Sequence, residues 1–107
     1  MSIEQMKFAY LKEKGCALTG VRKIPDMGPD DVLVKQLVCN ICTTDYGQWL
    51  GLREHQGYPM AGGHEGSGIV EAVGSGVKDL KPGDHVAVAY NSCGKCEACR
   101  RGHEGQC

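Results

Sequence analysis

The 107-residue sequence predicts a mainly β domain, barrel-like or sandwich-like, with one short helix and a cysteine-rich lobe at its end. Three observations support this. Sixteen glycines against 6% aromatic residues point to many turns and few long helices. Turn signals recur between short apolar runs, as in strand-rich folds. Only one run has the length and composition of a helix.

The elements follow in order. Lys7–Lys12 and Cys16–Val21 are expected as two strands joined by a turn at Glu13-Lys14-Gly15. Pro25 to Asp30 is a loop, broken by Pro25, Gly28 and Pro29. Asp31–Val38 reads as a strand that alternates Val32, Val34 and Val38 against Leu33, Lys35 and Leu37. Cys42–Leu50 is the helix, with Thr43, Thr44 or Asp45 available to cap its start. Arg53 to Gly63 is an irregular loop. Ile69–Val73 and His85–Tyr90 are strands separated by Gly74-Ser75-Gly76 and by Lys81-Pro82-Gly83-Asp84, where Pro-Gly suits the two central positions of a type II turn.

The last fifteen residues hold Cys93-x2-Cys96-x2-Cys99-x7-Cys107. Four soft thiolates held tetrahedrally make a closed structural zinc site. Gly94, Gly102 and Gly105 allow tight reversals between them, and Lys95, Arg100, Arg101 and His103 are placed to offset thiolate charge. Three other readings compete. Disulfides belong to secreted chains, and MSIEQMKFAY lacks a signal-peptide core. An iron–sulfur cluster usually continues C-x2-C-x2-C with three residues and Cys-Pro, not with seven residues. A ribbon pairing Cys39-x2-Cys42 with Cys93-x2-Cys96 leaves Cys99 and Cys107 without a role.

Formal charge is −1 with both signs interspersed, which disfavours nucleic acid and anionic membrane partners. No apolar run is long enough to span a bilayer, and a reducing cytoplasm is the expected location. The chain length suits at most one domain with a modest core. Cys107 is both a candidate ligand and the final residue, so the chain is expected to be part of a longer protein.

A second constellation lies upstream. Gly63-His64-Glu65-Gly66 precedes a strand, and Cys42 opens the helix with Thr44 and Asp45 after it. Thiolate, imidazole and carboxylate are all competent zinc ligands. Alone, His64 is more often an ordinary histidine and Cys42 a buried small hydrophobe. The four-cysteine cluster in the same short chain raises both.

The order Cys42-Thr43-Thr44-Asp45, Gly63-His64-Glu65-Gly66-x-Gly68-x5-Gly74, Lys81-Pro82-Gly83-Asp84-His85-Val86 and the four-cysteine lobe resembles the zinc-dependent medium-chain alcohol dehydrogenase family. The resemblance covers nearly the whole chain and implies an incomplete, GroES-like catalytic domain over residues 1–107, with the zinc lobe at 91–107. The family's Rossmann domain follows elsewhere; no G-x-G-x-x-G fingerprint occurs here. The resemblance makes Cys42 and His64 ligands of a catalytic zinc, with Glu65 an occasional or substitute ligand and another ligand supplied from outside the chain. It makes Asp45 the partner that orients His64 through its other ring nitrogen. Thr44 becomes the hydroxyl that relays the alcohol proton, and Cys93, Cys96, Cys99 and Cys107 the structural zinc ligands. Gly66, Gly68 and Gly74 become structural glycines. Thr43 stands where many members carry a basic residue that reaches cofactor phosphate, a weaker contact here.

The implied activity is oxidation of an alcohol or polyol to a carbonyl with zinc and NAD(P), in a homo-oligomer, the isolated chain being inactive. The competing readings are a stand-alone zinc-binding interaction module and, more remotely, a rubredoxin-like electron carrier. Cys39 and Cys16 read as core cysteines, His55 and His85 as surface or strand-edge residues, and His103 as an ordinary lobe residue. Tyr46 and Trp49, at i and i+3, are expected to pack one helix face rather than line a pocket. Arg53 to Tyr58 is expected to border the substrate cleft.

Overall fold

The computed structural model describes residues 5–52, 57–89 and 91–107, and the expectations for Arg53, His55 and Tyr90 fall outside them. Strands dominate. They run β1 (Gln5–Glu13), β2 (Cys16–Lys23), β3 (Val32–Cys39), β4 (Gly66–Val73) and β5 (His85–Ala87), with α1 (Thr43–Trp49) after β3 and α2 (Glu97–Arg100) in the lobe. β1 and β2 form an antiparallel hairpin; β3, β4 and β5 form a second antiparallel sheet with β4 in the middle. The mainly β class with a short helix is what the sequence predicted.

The hairpin turns at Gly15, whose φ of 70° lies in the left-handed region that favours glycine. Phe8 lies opposite Gly20, and its ring covers that glycine, the nearest ring carbons being 3.1 Å from where a Cβ would stand. The hairpin is tied to the rest by backbone bonds. Leu11 and Met60 exchange two, at 2.8 and 2.9 Å, and the Gly15 N–H donates to the Trp49 carbonyl at 2.8 Å.

β3 does not keep the clean alternation expected of it. Its pairing with β4 shifts register between Leu33 and Val34 and again between Gln36 and Val38. Each irregularity resets which face a side chain takes. Leu37 and Val38 are consequently both more than half exposed, at 57% and 58%. Gly68 has no room for a side chain, since a Cβ would collide with the Lys35 carbonyl. Gly74 is similarly pressed against the carbonyls of Gly28 and Pro29. Both glycines are therefore structural.

Lys81–Asp84 makes the expected turn: Gly83 has φ 98°, and the Asp84 N–H donates to the Lys81 carbonyl at 3.1 Å. The Lys81 ammonium, 2.8 Å from the Asp84 carboxylate, holds that carboxyl below its ordinary range. β5 is shorter than the expected His85–Tyr90. β4 begins at Gly66, and after the Ser67–Ala87 pair the Val88 N–H donates to the Gly66 carbonyl at 2.9 Å.

The buried apolar core is small. Among the described residues it comprises Met60, Val70 and Cys99. Cys16 and Cys39, expected as core residues, are only half-buried. Tyr46 and Trp49 stack on each other, with ring centroids 6.1 Å apart and planes 15° apart. They are 55% and 39% exposed, so the face they share is not a core face. No helix among the described residues is long and apolar enough to cross a membrane.

Candidate metal centres

The lobe gathers its four cysteines as the spacing implied. The Sγ atoms of Cys93, Cys96, Cys99 and Cys107 all lie within 4.8 Å of one another, and Cys93 and Cys99 are 3.9 Å apart. Four sulfurs around one zinc at about 2.3 Å stand roughly 3.8 Å from each other, so the donor set fits a single tetrahedral ion. All seven cysteines of the chain are free thiols, which disposes of the disulfide reading. The ribbon reading fails too, because Cys39 and Cys42 are not in this cluster.

Local structure aims the sulfurs inward. Cys96 is the N-cap of α2 and its sulfur accepts from the Cys99 N–H at 3.5 Å. α2 then ends in a Schellman arrangement: the His103 N–H donates to the Ala98 carbonyl at 2.8 Å and the Gly102 N–H to the Cys99 carbonyl at 3.0 Å. Gly94 and Gly102 have φ of 71° and 83°, as tight reversals need. Gly105 needs no such freedom and sits within a 3-10 turn, Glu104–Gln106.

The charge offset comes from backbone donors, where cationic side chains had been expected. The N–H groups of Lys95 and Cys96 point at Cys93 Sγ from 3.3 and 3.2 Å, and the Cys93 N–H points at Cys107 Sγ from 3.4 Å. The Lys95 and Cys96 amides draw the Cys93 thiol down to about 6, because an N–H bond favours the thiolate. The Cys99 amide lowers Cys96 in the same way. Cys99 feels the lowering pull of the Gly94 N–H, but burial and the neighbouring sulfurs outweigh it and push its thiol up to about 11. Arg101 instead pairs with Glu97 at 2.6 Å on the open surface.

The second centre forms where β3 hands over to α1 and where the chain enters β4. Pairing of Cys39 with Gly66 closes this end of the sheet, and the Asn40 N–H donates to the Glu65 carbonyl at 3.2 Å. Residues following β3 thereby meet residues preceding β4. Ligand atoms of Cys42, His64 and Glu65 converge to within 4.8 Å of one another, with His64 Nε2 3.9 Å from a Glu65 oxygen. A thiolate, an imidazole and a carboxylate at that separation fit zinc, with room for further ligands. Cys42 and His64 are half-buried and Glu65 is exposed.

Asp45 organises this centre. One carboxylate oxygen accepts from the Cys42 N–H at 3.0 Å and the other from the Gly63 N–H at 3.2 Å. The helix is capped by Cys42 itself, with Asp45 as the third helical residue reaching back; Thr43, Thr44 and Asp45 all lie inside the helix. The Cys-x-x-Asp spacing is a capping-box pattern in which cysteine replaces serine, so that signal was present in the sequence. Gly63 has φ 91°, and Cys39 Sγ lies 3.1 Å from where its Cβ would be. The half-buried hydroxyl of Thr44 is 3.8 Å from Cys42 Sγ, whereas Thr43 is exposed at the start of α1.

Comparison with known proteins identifies the family. The family described as the alcohol dehydrogenase GroES-like domain matches residues 28–107. The chain is 42% identical over 86 residues to alcohol dehydrogenase B of Mycobacterium tuberculosis, covering 79% of this chain and 23% of that protein. A cinnamyl alcohol dehydrogenase from Sorghum bicolor superposes with a TM-score of 0.87 at 34% identity, over 97% of this chain and 30% of that one. A zinc-binding dehydrogenase from Sinorhizobium meliloti bound to NADP superposes at 0.80 with 36% identity, over 99% of this chain and 31% of that one. The chain thus spans less than a third of the length of each.

Proposed function

Because this chain belongs to the alcohol dehydrogenase GroES-like domain family, we propose that it is the metal-binding part of a zinc-dependent oxidoreductase. That protein oxidises an alcohol or polyol to a carbonyl with a nicotinamide cofactor. The observation that carries this reading is the convergence of Cys42, His64 and Glu65 beside a separate four-sulfur lobe. One site is saturated by sulfur and serves structure; the other has mixed donors and leaves coordination positions for chemistry.

Zinc at the second site supplies a Lewis acid that makes the alcohol proton easier to lose. The chain's own residues do the rest. Asp45 registers the two ligand-bearing segments against each other through the Cys42 and Gly63 amides. Orientation of the His64 ring by Asp45 is part of the same proposal. Thr44, beside Cys42 Sγ, offers a hydroxyl that both accepts and donates, so it can pass a proton without itself changing charge. Glu65, on the open side, serves as an alternate ligand. Thr43, exposed at the first turn of α1, is assigned to cofactor contact, weaker than a cation would give.

Residues 1–107 are assigned to a partial catalytic domain, with residues 91–107 as its zinc lobe. The chain contains no dinucleotide fingerprint, so the hydride acceptor is held by residues outside it and the isolated chain is inactive. A cytoplasmic, homo-oligomeric protein fits the free thiols and the family. The test is zinc content. We expect about two ions per chain, falling to about one in Cys42→Ser/His64→Ala and, separately, in Cys96→Ser/Cys99→Ser. Zinc that stays unchanged in the first variant, or cofactor-dependent alcohol oxidation by the 107-residue chain alone, overturns the assignment.

A further inference from the structure

The segment that carries His64 toward Cys42 is fixed to α1 at one end by Asp45 and at the other by Tyr58. The Tyr58 phenol donates to the Gln48 carbonyl at 2.5 Å. Gln48 lies in the last turn of α1, where carbonyls lack their helical donors, and it also accepts from the Gly51 N–H at 3.1 Å. Asp45 and Gln48 are i and i+3, so they share one face of the helix. Both are half-buried, whereas Thr43, Tyr46 and Trp49 on the other side are exposed. Gly62 sits against the Asp45–Gln48 face with little room for a side chain. A Cβ there would stand 3.0 Å from an Asp45 carboxylate oxygen and 3.9 Å from the Gln48 amide oxygen. The chain from Tyr58 to Gly63 therefore runs along α1 from its C-terminal to its N-terminal end, bonded first at Gln48 and last at Asp45. Between those points Met60 is bonded to Leu11 of the hairpin.

We propose that Tyr58 is a positioning residue for the Cys42–His64–Glu65 centre, acting through the backbone that leads to His64. This deepens, and rests on, the reading of that centre as a metal site. A single attachment leaves a segment free to pivot about it, whereas two attachments along one helix fix its direction. The Asp45–Gly63 bond holds the chain one residue before His64. The Tyr58 bond, roughly 4.5 Å further along the helix axis, sets the line on which the chain arrives there. Cys42 caps the same helix, so both sides of the centre are referred to one rigid element, and the imidazole comes within 4.8 Å of the Cys42 sulfur. The phenol oxygen is the part that matters. Phenylalanine keeps the ring and loses the donor, which leaves the Gln48 carbonyl with its backbone partner alone.

The test compares the unaltered 107-residue chain with Tyr58→Phe, each titrated with cobalt(II), whose visible absorption distinguishes a four-sulfur site from one of mixed donors. Exchange protection of the β3–β4 amides serves as the folding control. We expect Tyr58→Phe to bind cobalt at the Cys42–His64–Glu65 centre about fivefold more weakly, the loss of one net hydrogen bond. Its absorption band there should also shift, because the imidazole approaches along a different line. The lobe should keep its affinity and its spectrum. Unchanged affinity and band at the mixed-donor centre overturn the role of Tyr58 and leave the metal reading standing. Equal weakening at both sites, or lost β3–β4 protection, overturns it as well, since the phenol then serves general stability. An unaltered chain that takes up cobalt at the lobe alone overturns the metal-centre reading and this proposal with it.

Discussion

Asp45 is a single carboxylate that ties its own helix start to a segment eighteen residues further on, by accepting from the amides of Cys42 and Gly63. Charge-assisted bonds of this kind are stronger than neutral ones, and removing the acceptor leaves two donors without a partner. Asp45→Ala is expected to cost about 2 kcal/mol, read as a lower urea midpoint at unchanged m-value. It should also empty the Cys42–His64–Glu65 site while the lobe keeps its ion. An Asp45→Ala protein with the original midpoint and both ions would refute this role. Such a residue is half legible in the sequence. The Cys-x-x-Asp spacing announces the cap, but the bond to Gly63 depends on a glycine at φ 91° brought in by another strand. No local pattern contains that partner. The same holds for the sulfurs of the lobe: their spacing was plain, yet the amides of Lys95 and Cys96 replaced the basic side chains expected to balance them. Main-chain donors are invisible in a list of residue types.

At the scale of elements, α2 depends on the lobe around it. Its four residues are far too few for a helix to persist alone in water. It is held by the Cys96 cap, the Gly102 reversal and the convergence of four sulfurs. Removing zinc with a chelator should therefore release residues 91–107, collapsing their amide dispersion in NMR spectra, while the amides pairing β3 with β4 stay protected. A lobe that keeps its dispersed spectrum after complete metal removal would show that packing alone suffices. The strands teach a different point. Alternation in Val32–Val38 identifies a strand but not its facing, because two register irregularities intervene. β5 stops short of its apolar run for a related reason: a strand ends where its partner ends, and β4 starts at Gly66. Turns are the most legible elements, since Gly15 and Gly83 carry their own backbone requirement.

At the scale of the whole molecule, the chain is expanded. Its accessible surface is 8434 Å², against about 5,800 Å² for a compact monomer of this mass. Its radius of gyration is 15.7 Å, against about 13 Å. The excess exceeds what a standard protein interface buries in total, about 1,600 Å². Ile41 at 87% exposed and Leu52 at 76% belong to this open apolar surface. Such surface is normally covered. In solution the 107-residue chain should self-associate, and light scattering at tens of micromolar (roughly) should give a mass above the 11.5 kDa of one chain. A clean monomer at that concentration would show that three buried apolar side chains are core enough.

The sequence by itself determined the chemistry: which side chains can bind metal, that four of them share one short lobe, and where the backbone must turn. Those are properties of residue type and near spacing, which chain geometry cannot undo. Only the tertiary structure decided that Cys42, His64 and Glu65 meet, that Asp45 ties them together, and that Tyr46 and Trp49 face solvent. Each of these depends on pairing between strands far apart in the chain, and the register of that pairing is set by contacts that no local stretch of sequence contains.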